Sequence, residues 1–191
     1  MANFTEQAIK KSFLELLNRK PVNKITVKDI AANCGINRNS FYYHFSDIPA
    51  LIEVILTEEA ERIMQEGTSS KSIYEHLLFA VDFAIENKTA VYHLYNSANR
   101  EMFERYLQRI SYKSVADYVA YACEGYNVEE EYREIIIMYY KCLLVGFVID
   151  WLGSGMQYSL RSKLAGICDL FDGSMQNAIK RAENKSSDEL K

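Results

Sequence analysis

Proline and glycine are scarce in this chain, at 2 and 8 of 191 residues. Proline interrupts helices and glycine supplies the positive φ of tight turns, so their scarcity argues against a turn-rich β architecture and for long helices. Cysteine is sparse and scattered. Cys34, Cys123, Cys142 and Cys168 form no C-x-x-C pair and each sits in an apolar pattern of helical period. Buried free thiols in a reducing compartment fit that spacing better than disulfides or metal ligation. The three histidines, His44, His76 and His93, fall in no metal-binding spacing, and the chain has no G-x-S-x-G, P-loop or G-x-G-x-x-G signature. The run Glu129-Glu130-Glu131 opens a helical segment, where negative charge is favourable for structural reasons alone. No enzyme activity, metal or cofactor is therefore expected.

Long apolar runs are nearly absent as well. Met1 to Lys11 is polar and lacks the apolar stretch of a signal peptide, so a cytoplasmic location is expected. Residues 135–153 have roughly the length of a membrane span, but Lys141 and Asp150 interrupt them. Charges inside a span are costly, so the expectation is a helix buried in protein on several sides, and no membrane partner.

What is present is helical periodicity almost throughout, giving an expected all-α fold. Residues 5–18 place Ala8, Ile9, Phe13, Leu16 and Leu17 on one face before Pro21 breaks the pattern. Thr26 is a good N-cap, Asp29 follows three positions on, and Val27, Ile30, Ala31 and Cys34 repeat at i, i+3, i+4, i+7. Gly35 suits the left-handed residue that ends a helix, and Asn37 suits the cap of the next. A helix from about Asp47 to Gln65 tolerates Pro49 in its first turn. Gly67 to Ser72 is a polar linker. Further helices are predicted over residues 73–86, 89–96, 101–123, 130–152 and 159–183.

Two helices joined by Gly35-Ile36-Asn37 form a helix-turn-helix pattern. On a helical wheel Phe41 and Phe45 point inward with Ile36. Asn39 and Tyr43 lie opposite, Ser40 and Tyr42 flank them, and Arg38 and His44 lie near the edges. Such an outer face fits the major groove. Asn can pair with adenine, Tyr and Ser can reach phosphates, and a Tyr ring can touch a thymine methyl. Charge is distributed to match: residues 1–50 carry 7 Lys/Arg against 4 Asp/Glu, whereas residues 51–191 carry 15 against 22. A basic head on an acidic body confines phosphate contact to the head.

The run Thr26-Val27-Lys28-Asp29-Ile30-Ala31, then Cys34-Gly35-Ile36, then Ser40-Phe41-Tyr42-Tyr43-His44-Phe45 closely resembles the TetR family of transcription regulators. The resemblance covers residues 5–56. It implies an N-terminal three-helix helix-turn-helix DNA-binding domain over residues 1–48. A C-terminal effector-binding and dimerising helical bundle would follow over residues 49–185, with a disordered tail at 186–191. It implies double-stranded DNA contact by Thr26 and Lys28 and by Asn37, Arg38, Asn39, Ser40, Tyr42, Tyr43 and His44. The family often opens its fourth helix with a phosphate-gripping lysine. Ile48 and Pro49 stand there in this chain, leaving the backbone amides of that helix start to hold a phosphate.

In the body, Ile135, Met138, Tyr139, Cys142, Val145 and Ile149 form one stripe, and Leu160, Leu164, Ile167, Cys168, Phe171, Met175 and Ile179 form another. The family pairs its last two helices with those of a second subunit. The expected homodimer interface therefore includes Ile149, Trp151, Leu164 and Phe171. Residues 73–86 carry a surplus aromatic face, His76, Phe79 and Phe83, and later helices supply Tyr92, His93, Phe103 and Tyr106. Apolar pockets with a few polar groups suit small ligands, so these seven are the candidate lining for a small apolar or aromatic effector. The expected function is a homodimeric regulator, acting as a repressor at a palindromic operator. The alternative is a protein-interaction adaptor or co-activator of the same fold, controlled by a protein partner.

Overall fold

The computed structural model describes residues 2–66, 81–82, 84–171 and 173–188. Among them are helices and no strand. In order these are α1 (Ala2–Leu17), a 3-10 turn (Val22–Lys24), α2 (Val27–Cys34), α3 (Arg38–His44), α4 (Ile48–Glu66), α5 (Lys88–Tyr95), α6 (Arg100–Ala122), α7 (Glu130–Gly153), α8 (Leu160–Leu170) and α9 (Ser174–Asp188). Residues 81–82 and 84–86 are also helical; the rest of the helix predicted over residues 73–86 lies outside the described residues. Two compact units make up the chain, Met1–Glu61 with Ala84–Tyr106, and Arg62–Phe83 with Leu107–Lys191.

In the first unit α1 packs against α2, α3 and α5. Ile9, Phe13 and Leu17 project from α1 at helical spacing and are buried, as are Ile30, Ala31, Phe41 and Phe45. The Phe41 and Phe45 rings meet with centroids 5.8 Å apart. A polar lock joins α1 to α2. The buried Ser12 hydroxyl donates to the Ile30 carbonyl at 3.0 Å and accepts from Asn33 Nδ2 at 3.1 Å, while the same amide donates to Glu15 at 3.0 Å. The His93 ring meets the Leu17 carbonyl through Nδ1 at 2.7 Å. A carbonyl can only accept, so the proton sits on Nδ1.

In the second unit Val115, Val119 and Cys123 of α6 and its end pack with Val128, with Ile136 and Ile137 of α7, and with Met175, Ile179 and Ala182 of α9. The Tyr140 and Ser174 hydroxyls meet at 2.9 Å across α7 and α9. The sequence pattern predicts one helix over residues 159–183, but the structure divides it into α8 and α9. α8 ends at Leu170, and directly before α9 Gly173 takes φ of +74°, a left-handed conformation that glycine adopts at little cost and that keeps the two helices from running on as one. The apolar stripe reads continuously through this break, so periodicity alone does not show it. α9 runs to Asp188, into the segment expected as a disordered tail.

Among the described residues one helix, Glu130–Gly153, is long and apolar enough to cross a membrane by length and composition, with 22% of its most apolar window buried. In the single chain it is not enclosed on several sides. Ile136, Ile137, Trp151 and Leu152 are buried, while Ile135, Met138, Tyr139 and Leu143 are 40–60% exposed.

The Lys10 ammonium is 6% exposed and bridges Glu6 on α1 to Glu58 on α4. Burial pulls its pKa down, but hydrogen bonds and charge from Glu58 and Glu6 outweigh this and raise it. The lysine thus stays charged because of its partners, and removing them is costlier than removing the lysine. The double variant Glu6→Gln/Glu58→Gln is expected to lose about 1–3 kcal/mol in urea unfolding, because it strands a buried charge. Lys10→Met, which keeps the apolar stem, is expected to lose about 1 kcal/mol or less. A Lys10→Met variant less stable than the double variant would contradict this assignment.

Candidate nucleic-acid interface

Local chemistry positions α2 and α3. The Thr26 hydroxyl accepts the Asp29 N–H at 3.2 Å, and the Thr26 N–H reaches back to the Asp29 carboxylate at 3.0 Å. This reciprocal cap starts α2 at a defined residue. Lys20 donates to the same carboxylate at 2.9 Å. Lys20, then the Thr26 N–H and hydroxyl, lower the Asp29 pKa to about 2. α2 ends at Gly35, with φ of +73°. The Ile36 N–H bonds the Ala31 carbonyl at 3.0 Å and the Gly35 N–H bonds Ala32 at 3.4 Å, the paired closure that a left-handed glycine permits. Asn37 Oδ1 then accepts the Ser40 N–H at 2.8 Å and starts α3.

These constraints fix the roll of α3. Phe41 and Phe45 are buried, while Tyr42 and Tyr43 on the same short helix are 55% and 82% exposed. Arg38 and Asn39 are exposed, and Ser40 and His44 are half-buried. The His44 ring meets the edge of Tyr43 at 5.1 Å and 86°, which limits the swing of the tyrosine. The outward face therefore presents a guanidinium, a carboxamide and two phenols, groups able to reach base edges and phosphates.

The remaining head candidates divide by what their polar atoms already do. Lys28 and Asn37 are exposed. Asn37 spends its carbonyl oxygen on Ser40 and leaves two amide N–H donors for an outside acceptor. The exposed Thr26 turns its hydroxyl proton to Asp29 at 2.9 Å, so it caps α2 rather than offering a donor outward. Lys24, which sequence reasoning passed over, is exposed just ahead of α2 and has no ion pair among the described residues. At the start of α4 the Ile48 N–H has no hydrogen bond among the described residues, but the positions after it offer no open amide. Asp47 Oδ1 accepts the Ala50 N–H at 2.8 Å, the Asp47 carbonyl accepts Leu51 at 3.2 Å, and Pro49 has no N–H.

Of the effector candidates, His76, Phe79 and Phe83 lie outside the described residues. Phe103 is 5% exposed, with its ring 6.4 Å from Tyr95 and 6.1 Å from Tyr106. Tyr106 is half-buried. Tyr92 is 41% exposed. His93 is the half-buried residue that holds Leu17.

The candidate interface residues separate too. Phe171 is 64% exposed and Ile149 is half-buried, but Trp151 and Leu164 are each 2% exposed, enclosed by their own chain. Trp151 Nε1 donates to the Tyr158 carbonyl at 2.9 Å, which ties it to the turn after α7. The outward apolar groups of α7 are Leu143 and the set Ile135, Met138, Tyr139 and Cys142, whose i, i+3, i+4, i+7 spacing was the available sequence signal.

Residues 71–173 match the profile described as "Transcriptional regulator C-terminal region", and residues 13–55 match "Bacterial regulatory proteins, tetR family". No curated protein sequence matches the chain closely. Among solved structures it is similar to a dihydroxyacetone kinase operon activator, DhaS, at 18% identity and TM-score 0.75, over 93% of this chain and 97% of that one. It is also similar to a tetR-family transcriptional regulator from Streptomyces coelicolor, at 14% identity and TM-score 0.64, over 97% and 98% of the two chains. A third is NalD, the secondary repressor of the MexAB-OprM multidrug efflux pump in Pseudomonas aeruginosa, at 18% identity and TM-score 0.61, over 93% and 96%. With a helix-turn-helix head and profile matches over both regions, the chain belongs to the TetR family of bacterial transcriptional regulators and carries its N-terminal DNA-binding domain.

Proposed function

We propose that this regulator works as a homodimer that sets α3 of each subunit into successive major grooves of a palindromic site and represses transcription there. The observation that carries the reading is the division of α3. Its phenylalanines are spent on the core, and Tyr42, Tyr43, Arg38 and Asn39 are left outside. Lys28 and Asn37 support the duplex backbone, while Asn39 and Tyr43 meet base edges. Selection from random duplexes is expected to enrich one site. Tyr43→Ala and Asn39→Ala should each weaken that site by about 1–3 kcal/mol and relax discrimination. Lys28→Ala should weaken all duplexes alike and reduce the salt slope by about one unit. Gel shifts across a salt series read both effects, and a random pool with no enrichment would defeat the reading.

The second subunit is proposed to cover the outer face of α7 together with Phe171. Ile135, Met138 and Tyr139 are 48%, 56% and 60% exposed, an apolar strip that a lone soluble chain leaves in water. Two recognition helices must stand about 34–36 Å apart to read one face of the duplex, which a single chain cannot do. Sedimentation at micromolar concentration is expected to give twice the 22.1 kDa chain mass. Tyr139→Glu, on the exposed strip and so harmless to the chain's own core, is expected to give the monomer. A wild-type monomer would contradict the assignment.

A small apolar or aromatic effector is proposed to bind beyond the head's own three helices and alter DNA affinity, on the strength of the aromatic set that includes Tyr92, Phe103 and Tyr106, which share the first compact unit with the head. Such a ligand acts only through its difference in affinity between the DNA-competent and DNA-incompetent arrangements, and coupling of about 1–3 kcal/mol changes affinity by about 5–150-fold. A panel of hydrophobic metabolites is expected to yield at least one compound that raises the melting temperature and shifts the gel-shift midpoint. The absence of any such compound would favour control by a protein partner.

A further inference from the structure

The start of α4 follows the recognition helix after only Phe45, Ser46 and Asp47. A helix start is normally a favourable place for a phosphate, because its first amides have no partner within the helix. Here the chain supplies its own anion. Asp47 Oδ1 takes the Ala50 N–H at 2.8 Å, and proline at position 49 removes another donor. The contrast with α2 is informative. The Asp29 carboxylate at that helix start is held by Lys20 at 2.9 Å, so its charge is compensated. Asp47 is exposed and has no ion pair among the described residues. Ile48, directly after it, brings no cation. Asp47 also lies four residues from Tyr43, so their Cα atoms are at most about 14 Å apart. A helix lying in the major groove has phosphates running along both edges, so residues just past its end lie near one of those edges.

We infer that Asp47 is a built-in electrostatic brake on DNA binding. It stabilises α4 as a cap while its carboxylate, which no side-chain cation pairs, repels the duplex backbone at the exit of the recognition helix. The inference rests on the reading that α3 enters duplex DNA. Backbone affinity then rests chiefly on Lys24, Lys28 and Arg38, all exposed and without an ion pair among the described residues, with the Ile48 N–H the one amide left at the α4 start. Two like charges about 7 Å apart in water disfavour each other by a factor of roughly 3, and the factor fades as salt shortens the screening length from about 10 Å at 0.1 M to about 3 Å at 1 M.

Asp47→Ser and Asp47→Asn test this, because each keeps an oxygen to accept the Ala50 N–H while removing the charge. Fluorescence anisotropy with a labelled random-sequence duplex of about 30 base pairs reads backbone affinity without knowledge of the operator. Both variants are expected to melt close to wild type. At 0.05–0.1 M salt each should bind roughly 3-fold tighter, with a steeper salt dependence and a gain that disappears towards about 0.5 M. Variants that bind no tighter than wild type at any salt, or whose gain is the same at all salts, would overturn the brake while leaving the DNA reading intact. If wild type and both variants all fail to bind the duplex at 0.05 M salt, the DNA reading itself falls and the brake falls with it.

Discussion

The head depends on one backbone constraint, the left-handed turn at Gly35. With φ of +73° there, α2 closes on itself through the Ile36 and Gly35 amides, and α3 begins after only Ile36 and Asn37. A Cβ at Gly35 would meet nothing within 4 Å, so glycine is required by the backbone conformation and not by crowding. Once the turn is fixed, the roll of α3 follows. Phe41 and Phe45 can bury only on one side, so Tyr42 and Tyr43 must face out. A change at Gly35 would therefore re-aim the recognition surface without touching any residue on it.

The polar contacts around that turn extend the same logic. The caps at Thr26 and Asn37 set where each helix starts, and Ser12 with Asn33 sets how α2 lies on α1. Lys10 then ties α1 to Glu58 on α4, and His93 ties the end of α1 to α5. None of these contacts is large in energy, since exchanging water for a protein partner yields only about 1 kcal/mol per hydrogen bond. Their value is directional. They select one arrangement among many that would bury the same apolar area.

Much of the head was legible in the sequence, because caps, left-handed glycines and the wheel of a seven-residue helix are local. Thr26, Gly35, Asn37 and the inward phenylalanines lie where their types and spacing indicated. The body was less legible. An apolar stripe marks a face that avoids water without saying whether its own chain or another covers it. Trp151 and Leu164 were expected at a subunit interface, yet both are enclosed by their own chain, while the stripe through Met138 and Tyr139 faces out. The break between α8 and α9 was hidden for a related reason, since the stripe keeps its phase across Gly173. The state of the α4 start was hidden too. An Asp before a helix reads as a cap in any sequence, and only the hydrogen bond to Ala50 shows that this amide, one of those a phosphate would use, is already taken.

The central claim is that two copies of α3, aimed by the Gly35 turn, read one face of a duplex. Hydroxyl-radical footprinting of the wild-type protein on the duplex enriched by selection measures this directly. The account predicts two protected patches related by a two-fold axis, with centres about 10–10.5 base pairs apart or a multiple of that spacing. A single asymmetric patch, or uniform protection with no register, would contradict it.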